Sequence, residues 1–198
     1  MATDSVKRLA FIGFLFALWY GFGSISNIYC KEFMVIYNRP LILTFGQFLI
    51  GIIVPCIYFL VSSNPITITR KILEDSDKFK FLFIVAMVNL IGHFMTNYSM
   101  SSVSVSFTHT IKAGEPLFSA VISFALAPSS VNQLMWISLV PIIIGSVLAT
   151  LSELSYTHTG VITAVLSNFF FSSRNIYSKK LQVIISQFSF VIFFHIKF

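Results

Sequence analysis

Apolar runs of about twenty residues recur along this chain with short polar breaks between them, and about twenty is the length a helix needs to cross a bilayer. The pattern predicts helices over about Leu9–Tyr29, Leu41–Val61, Phe81–Ser101, Val103–Ala127, Leu134–Leu151 and Val161–Tyr177. Arg39-Pro40 should start the second, and Pro55 inside it predicts a kink. The charged run from Arg70 to Lys80 reads as a solvated loop, and Pro128-Ser129-Ser130 as a tight turn. The fold class expected is therefore an all-α membrane protein, a polytopic transmembrane helix bundle.

The fourth span breaks the apolar rule. It contains Ser106-Phe107-Thr108-His109-Thr110-Ile111-Lys112-Ala113-Gly114-Glu115-Pro116, with two charges well inside. A lysine at the bilayer centre costs about 2.5–3.5 kcal/mol, which most of the span's apolar residues are needed to offset. Thr108, Lys112, Glu115 and Ser119 fall at i, i+4, i+7 and i+11, so they share one helical face. That face should look into protein or a water-filled cavity. Pro116 has no N–H, so the Lys112 carbonyl loses its helical partner and the backbone loosens beside the charge. The competing reading has Lys112 snorkelling to an interface and Glu115 as a helix-end charge.

The third span carries a second polar stripe. Asn89, His93, Thr96 and Met100 share a face and read either as packing groups or as a cavity wall. Asn97-Tyr98-Ser99 matches a glycosylation sequon, yet it sits at a span end where it cannot be reached. Arg174, near the end of the sixth span, is either a site residue or an interfacial anchor beside Lys179 and Lys180.

Composition supports the membrane class: 10% charged residues against about 25% in soluble domains. The net charge of +6 comes from loop lysines and arginines, with no basic patch interleaved with stacking aromatics, so no nucleic-acid partner is implied. Cys30 and Cys56 lack metal-type spacing and read as buried free thiols. The common nucleophile, zinc-protease, P-loop and dinucleotide signatures are missing, so neither an enzyme nor a cofactor is expected. Lys7 and Arg8 precede the first span, which reads as a retained helix with no room for a transit peptide before it. Lysines and arginines cluster at the N-terminus and in the even-numbered loops, which places the N-terminus on the cytosolic side or its equivalent.

Asn27-Ile28-Tyr29-Cys30-Lys31 ends the first span, and Asn175-Ile176-Tyr177-Ser178-Lys179 ends the sixth. An odd number of spans separates the copies, so they run in opposite orientations, the pattern of an inverted-topology repeat. Residues 1–182 then hold a first repeat of five helices plus the first helix of a second. Residues 183–198 are an incomplete apolar tail, too short for another span.

Three segments together resemble the triose-phosphate/phosphoenolpyruvate–phosphate translocator family of the drug/metabolite transporter superfamily. They are His93-Phe94-Met95-Thr96-Asn97, Val105 to Ala113 with Glu115-Pro116, and Arg174-Asn175-Ile176-Tyr177-Ser178-Lys179-Lys180. The resemblance covers roughly the first span to Gln182, and its Ile-Lys-Ala-x-Glu-Pro form looks like the plastid branch. It implies ten helices in two inverted halves, of which about six are present here. It implies exchange of phosphorylated three-carbon compounds for inorganic phosphate. It implies that Lys112 and Thr96 contact phosphate, that His93 contacts the organic part, and that Arg174 lines the site. A late Lys-Arg pair of the family lies beyond this chain. Glu115 should pair with a cation, because at the substrate it would repel an anion. A plastid-type or other endomembrane is implied, such as the outer membrane of a complex plastid.

Two alternatives stand beside this. One is another metabolite carrier of the superfamily, such as a sugar-nucleotide carrier. The other is a truncated, non-transporting membrane protein that associates with a full-length homologue. The oligomeric state is open in each case.

Overall fold

The computed structural model describes residues 2–61, 76–127, 132–152 and 157–195. Their regular structure is entirely helical: α1 Ala2–Tyr37, α2 Pro40–Val61, α3 Ser76–Ser102, α4 Val105–Lys112, α5 Glu115–Leu126, α6 Gln133–Ser152 and α7 His158–His195. Among the described residues, three helical stretches are long and apolar enough to cross a membrane: Val6–Tyr37, Phe79–Ser102 and Leu134–Leu151. The fourth expected span is instead divided into α4 and α5, of eight and twelve residues, each too short to cross alone. Large apolar side chains on α1, α2 and α6 point outward, as lipid contact requires.

Helix ends follow local chemistry. α1 continues past the expected end at Tyr29, because nothing between Cys30 and Tyr37 breaks a helix. It stops at Asn38, whose φ of 44° is a left-handed cap that asparagine tolerates, and Asn38 N donates to Met34 O at 2.9 Å. Pro40 then opens α2 with its φ already set. α3 starts at Ser76 rather than Phe81, so the end of the charged run is helical, with Lys80 and Asp77 paired at 3.6 Å on an exposed face. Ser104 caps α4, accepting from Phe107 N at 3.2 Å. α7 runs through Gln182 to His195 without interruption, where the sequence suggested a separate tail. Residues 70–75, the Pro128 turn and the Pro55 side chain lie outside the described residues.

α3 and α7 form the spine. α7 packs against α3, α4 and α5, while α1 and α2 flank α3. Small side chains permit this closeness: Ala164, Ser167 and Ser172 have no exposed surface. At Gly160 a Cβ would come 2.6 Å from Val103 Cγ1, so a larger residue there would have to displace Val103. Ser99 Oγ donates to Gly160 O at 2.8 Å and pairs with Thr108 Oγ1 at 3.0 Å, tying three helices together. A small apolar cluster of Val103, Phe107, Ile111 and Ala164 lies beside it.

Candidate functional site

The break between α4 and α5 sits where Pro116 predicts it, with Gly114 capping α5 and Pro116 in its first turn. α7 braces the opened backbone. Asn168 Nδ2 donates to Ile111 O at 2.8 Å, and Ser172 Oγ donates to Glu115 O at 3.0 Å. The polar face turns inward as expected. Thr108 is fully buried, and Ser119 Oγ meets Ser172 Oγ at 3.1 Å.

Lys112 ends α4 on that face. Its Nζ donates to Thr96 Oγ1 at 3.1 Å, and Thr96 Oγ1 in turn donates to Gly92 O at 3.0 Å. The same ammonium lies 4.0 Å from the centroid of the Phe171 ring. Among the described residues no carboxylate forms an ion pair with it. His93 sits edge-on between Phe48 and Phe171, with ring centroids at 5.5 and 5.0 Å. His93, Thr96 and Lys112 thus meet on the wall of one cleft of about 690 Å³, together with Met100, His109 and Phe171. The rest of the lining includes Trp19, Gly23, Ser26 and Asn27 of α1, with Gln47 and Phe48 of α2. Three of the four stripe residues, His93, Thr96 and Met100, therefore line the cleft, while Asn89 turns to Arg174 instead.

Arg174 is placed differently. Its guanidinium carbon lies 4.9 Å from the same Phe171 centroid, but the residue is not part of the cleft wall. Nη1 donates to Asn89 Oδ1 at 2.8 Å, while Nε and Nη2 donate to Asn175 Oδ1 at 3.1 and 2.7 Å. Asn175 Nδ2 then donates to Glu115 Oε1 at 2.7 Å. Glu115 was expected to pair with a cation; it meets an amide instead, and that amide relays it to Arg174. Distance decides this, since Asn175 lies within hydrogen-bond reach of both charges.

Other expectations divide. Asn97, in the sequon, is buried and donates to Thr44 Oγ1 and Gln47 Oε1, both at 2.9 Å. Cys30 is buried and free, but Cys56, expected to be buried, is exposed on α2 because its position faces away from the bundle. Sequence reasoning missed Asn168 and Phe171. The signal was available: Ala164, Asn168, Phe171 and Asn175 recur at helical spacing, marking one inward face of α7.

A helix broken beside an ammonium, with a cleft in front of it, is an arrangement that recurs in the discontinuous helices of membrane carriers. The model of the Triose-phosphate Transporter family matches residues 10–196, past the limit at Gln182 read from the motifs, and the chain belongs to that family. It is 39% identical over 168 residues to the chloroplastic triose phosphate/phosphate translocator of Zea mays, covering 85% of this chain and 40% of that one. It is 37% identical over 172 residues to phosphoenolpyruvate/phosphate translocator 1, chloroplastic, of Oryza sativa subsp. japonica, covering 87% of this chain and 41% of the relative. The chain therefore spans about two fifths of the length of these curated relatives.

Proposed function

We propose that this chain supplies the phosphate-binding half of a plastid-type membrane carrier that exchanges inorganic phosphate for phosphorylated three-carbon compounds. The observation that carries the reading is Lys112: an ammonium on a cleft wall, held by a hydroxyl and an aromatic face, without a carboxylate ion-pair partner among the described residues. Phosphate is close to a dianion at neutral pH, and charge-assisted hydrogen bonds from lysine select it. Thr96 stands at the same point, where its hydroxyl would turn from Gly92 O to the phosphate, and His93 stands one turn away for the organic part. Arg174 lends positive charge from behind the wall, and is positioned for that by Asn89 and Asn175.

The chemistry gives a reason for exchange. Occluding an uncompensated cation in low dielectric is costly. A bound dianion offsets the charge and permits the rocking step, so an empty carrier does not cross. The names of the relatives, both phosphate translocators and both chloroplastic, support this reading. The test is competition for radiolabelled inorganic phosphate bound to the chain in lipid nanodiscs. Triose phosphate or phosphoenolpyruvate should displace it, and a sugar nucleotide should not. Displacement by a sugar nucleotide at lower concentration overturns the substrate class.

A further inference from the structure

The cleft is lined by side chains of two kinds. Lys112, Thr96 and His109 are cationic or hydrogen-bonding. Ser26, Asn27, Gln47 and Asn97 are neutral. Within that neutral set the hydrogen bonds are unevenly spent. Asn97 Nδ2 donates to both Thr44 Oγ1 and Gln47 Oε1, and Gln47 Nε2 donates to Cys30 Sγ at 3.1 Å. Those two amides are bound into the wall. The half-buried Asn27 amide has no hydrogen-bond partner among the described residues, although it lines the same cleft.

The rotation of α1 that presents Asn27 is fixed from one turn away. Lys31 Nζ donates to Met100 O at 2.6 Å and to Val103 O at 2.8 Å, clasping the corner between α3 and α4. Cys30 is held by Gln47. Asn27 lies three and four residues before these anchors, so it shares their face. Gly23, one turn further back, leaves the cleft open: a Cβ there would meet nothing within 4 Å. The second copy of the Asn-Ile-Tyr-x-Lys motif sharpens the contrast. Its asparagine, Asn175, is engaged by Glu115 at Nδ2 and by Arg174 at Oδ1. The first copy keeps its amide uncommitted.

We propose that Asn27 is a specificity-determining residue that hydrogen-bonds a hydroxyl or carbonyl on the carbon end of a small phosphate ester whose phosphate sits at Lys112. An amide is donor and acceptor at once, so it pairs with either group. It carries no charge, so it reads oxygen placement rather than a further negative charge. The proposal deepens the phosphate-carrier reading and rests on it.

The experiment measures displacement of radiolabelled inorganic phosphate from the chain in nanodiscs by glycerol 3-phosphate and by n-propyl phosphate. The two share a carbon skeleton and differ in hydroxyls. The native chain should prefer glycerol 3-phosphate by roughly three- to tenfold, the range of one net hydrogen bond. In Asn27→Ala that preference should vanish while inorganic phosphate binds as before. An unchanged preference overturns the proposal. If Asn27→Ala also loses phosphate, Asn27→Gln decides. Restored phosphate binding with an altered preference supports the role, and loss in both variants makes Asn27 purely structural. If the native chain binds no phosphate, the carrier reading itself fails and this proposal falls with it.

Discussion

The ammonium of Lys112 rests 4.0 Å from the centre of the Phe171 ring, and the Arg174 guanidinium approaches the same ring at 4.9 Å. One aromatic ring therefore serves two cations that would otherwise repel each other inside the bundle. Each such contact is worth about 0.5–2 kcal/mol, more where water is excluded. The ring's electron-rich face supplies the partial negative charge that both cations meet. Phe171→Leu should lower the thermal midpoint of the empty protein and enlarge the upward shift that saturating phosphate produces. An identical phosphate-induced shift in variant and native protein contradicts this role.

Asn175 keeps Glu115 and Arg174 apart while linking them. Asn175→Leu should free the Glu115 carboxylate to compete for Lys112 and weaken phosphate binding by about 1–3 kcal/mol, the cost of an unpaired charged hydrogen bond. Adding Glu115→Gln should recover most of the loss. Binding titrations on the single and double variants check the pair, and no recovery in the double variant refutes the competition.

Lys31 serves the corner between α3 and α4 rather than the substrate. It supplies positive charge where the last α3 carbonyls point. Lys31→Met should destabilise the folded protein by about 1–3 kcal/mol, read as a lowered thermal midpoint in detergent. An unchanged midpoint speaks against the clasp.

The α3–α7 crossing depends on Gly160. In Gly160→Ala the new methyl must displace Val103, which is almost completely buried, and overpacking of this kind costs about 1–3 kcal/mol. Val103→Ala in the same chain should relieve part of that cost. A second substitution that only adds to the loss contradicts the steric explanation.

Much of this was legible in the chain itself. Hydropathy located the helices because lipid admits few backbone arrangements. Pro116 and the spacing of Thr108, Lys112, Glu115 and Ser119 located the break and its inward face, since both are local properties. Partnerships across helices were not legible. The meeting of Lys112 with Phe171, and of Glu115 with Asn175, joins residues about sixty positions apart through the packing of α7. The ends of α1 and α7 differ from those expected for another reason: hydropathy falls at Lys31 or Lys179, but a helix stops at a breaker such as Asn38.

The central claim is that Lys112 binds phosphate. Equilibrium binding of radiolabelled inorganic phosphate to the chain in lipid nanodiscs, native beside Lys112→Ala, tests it most directly. The account predicts saturable binding to the native chain and a loss of about tenfold or more in the variant, with membrane insertion unchanged. Equal binding by the two would contradict it.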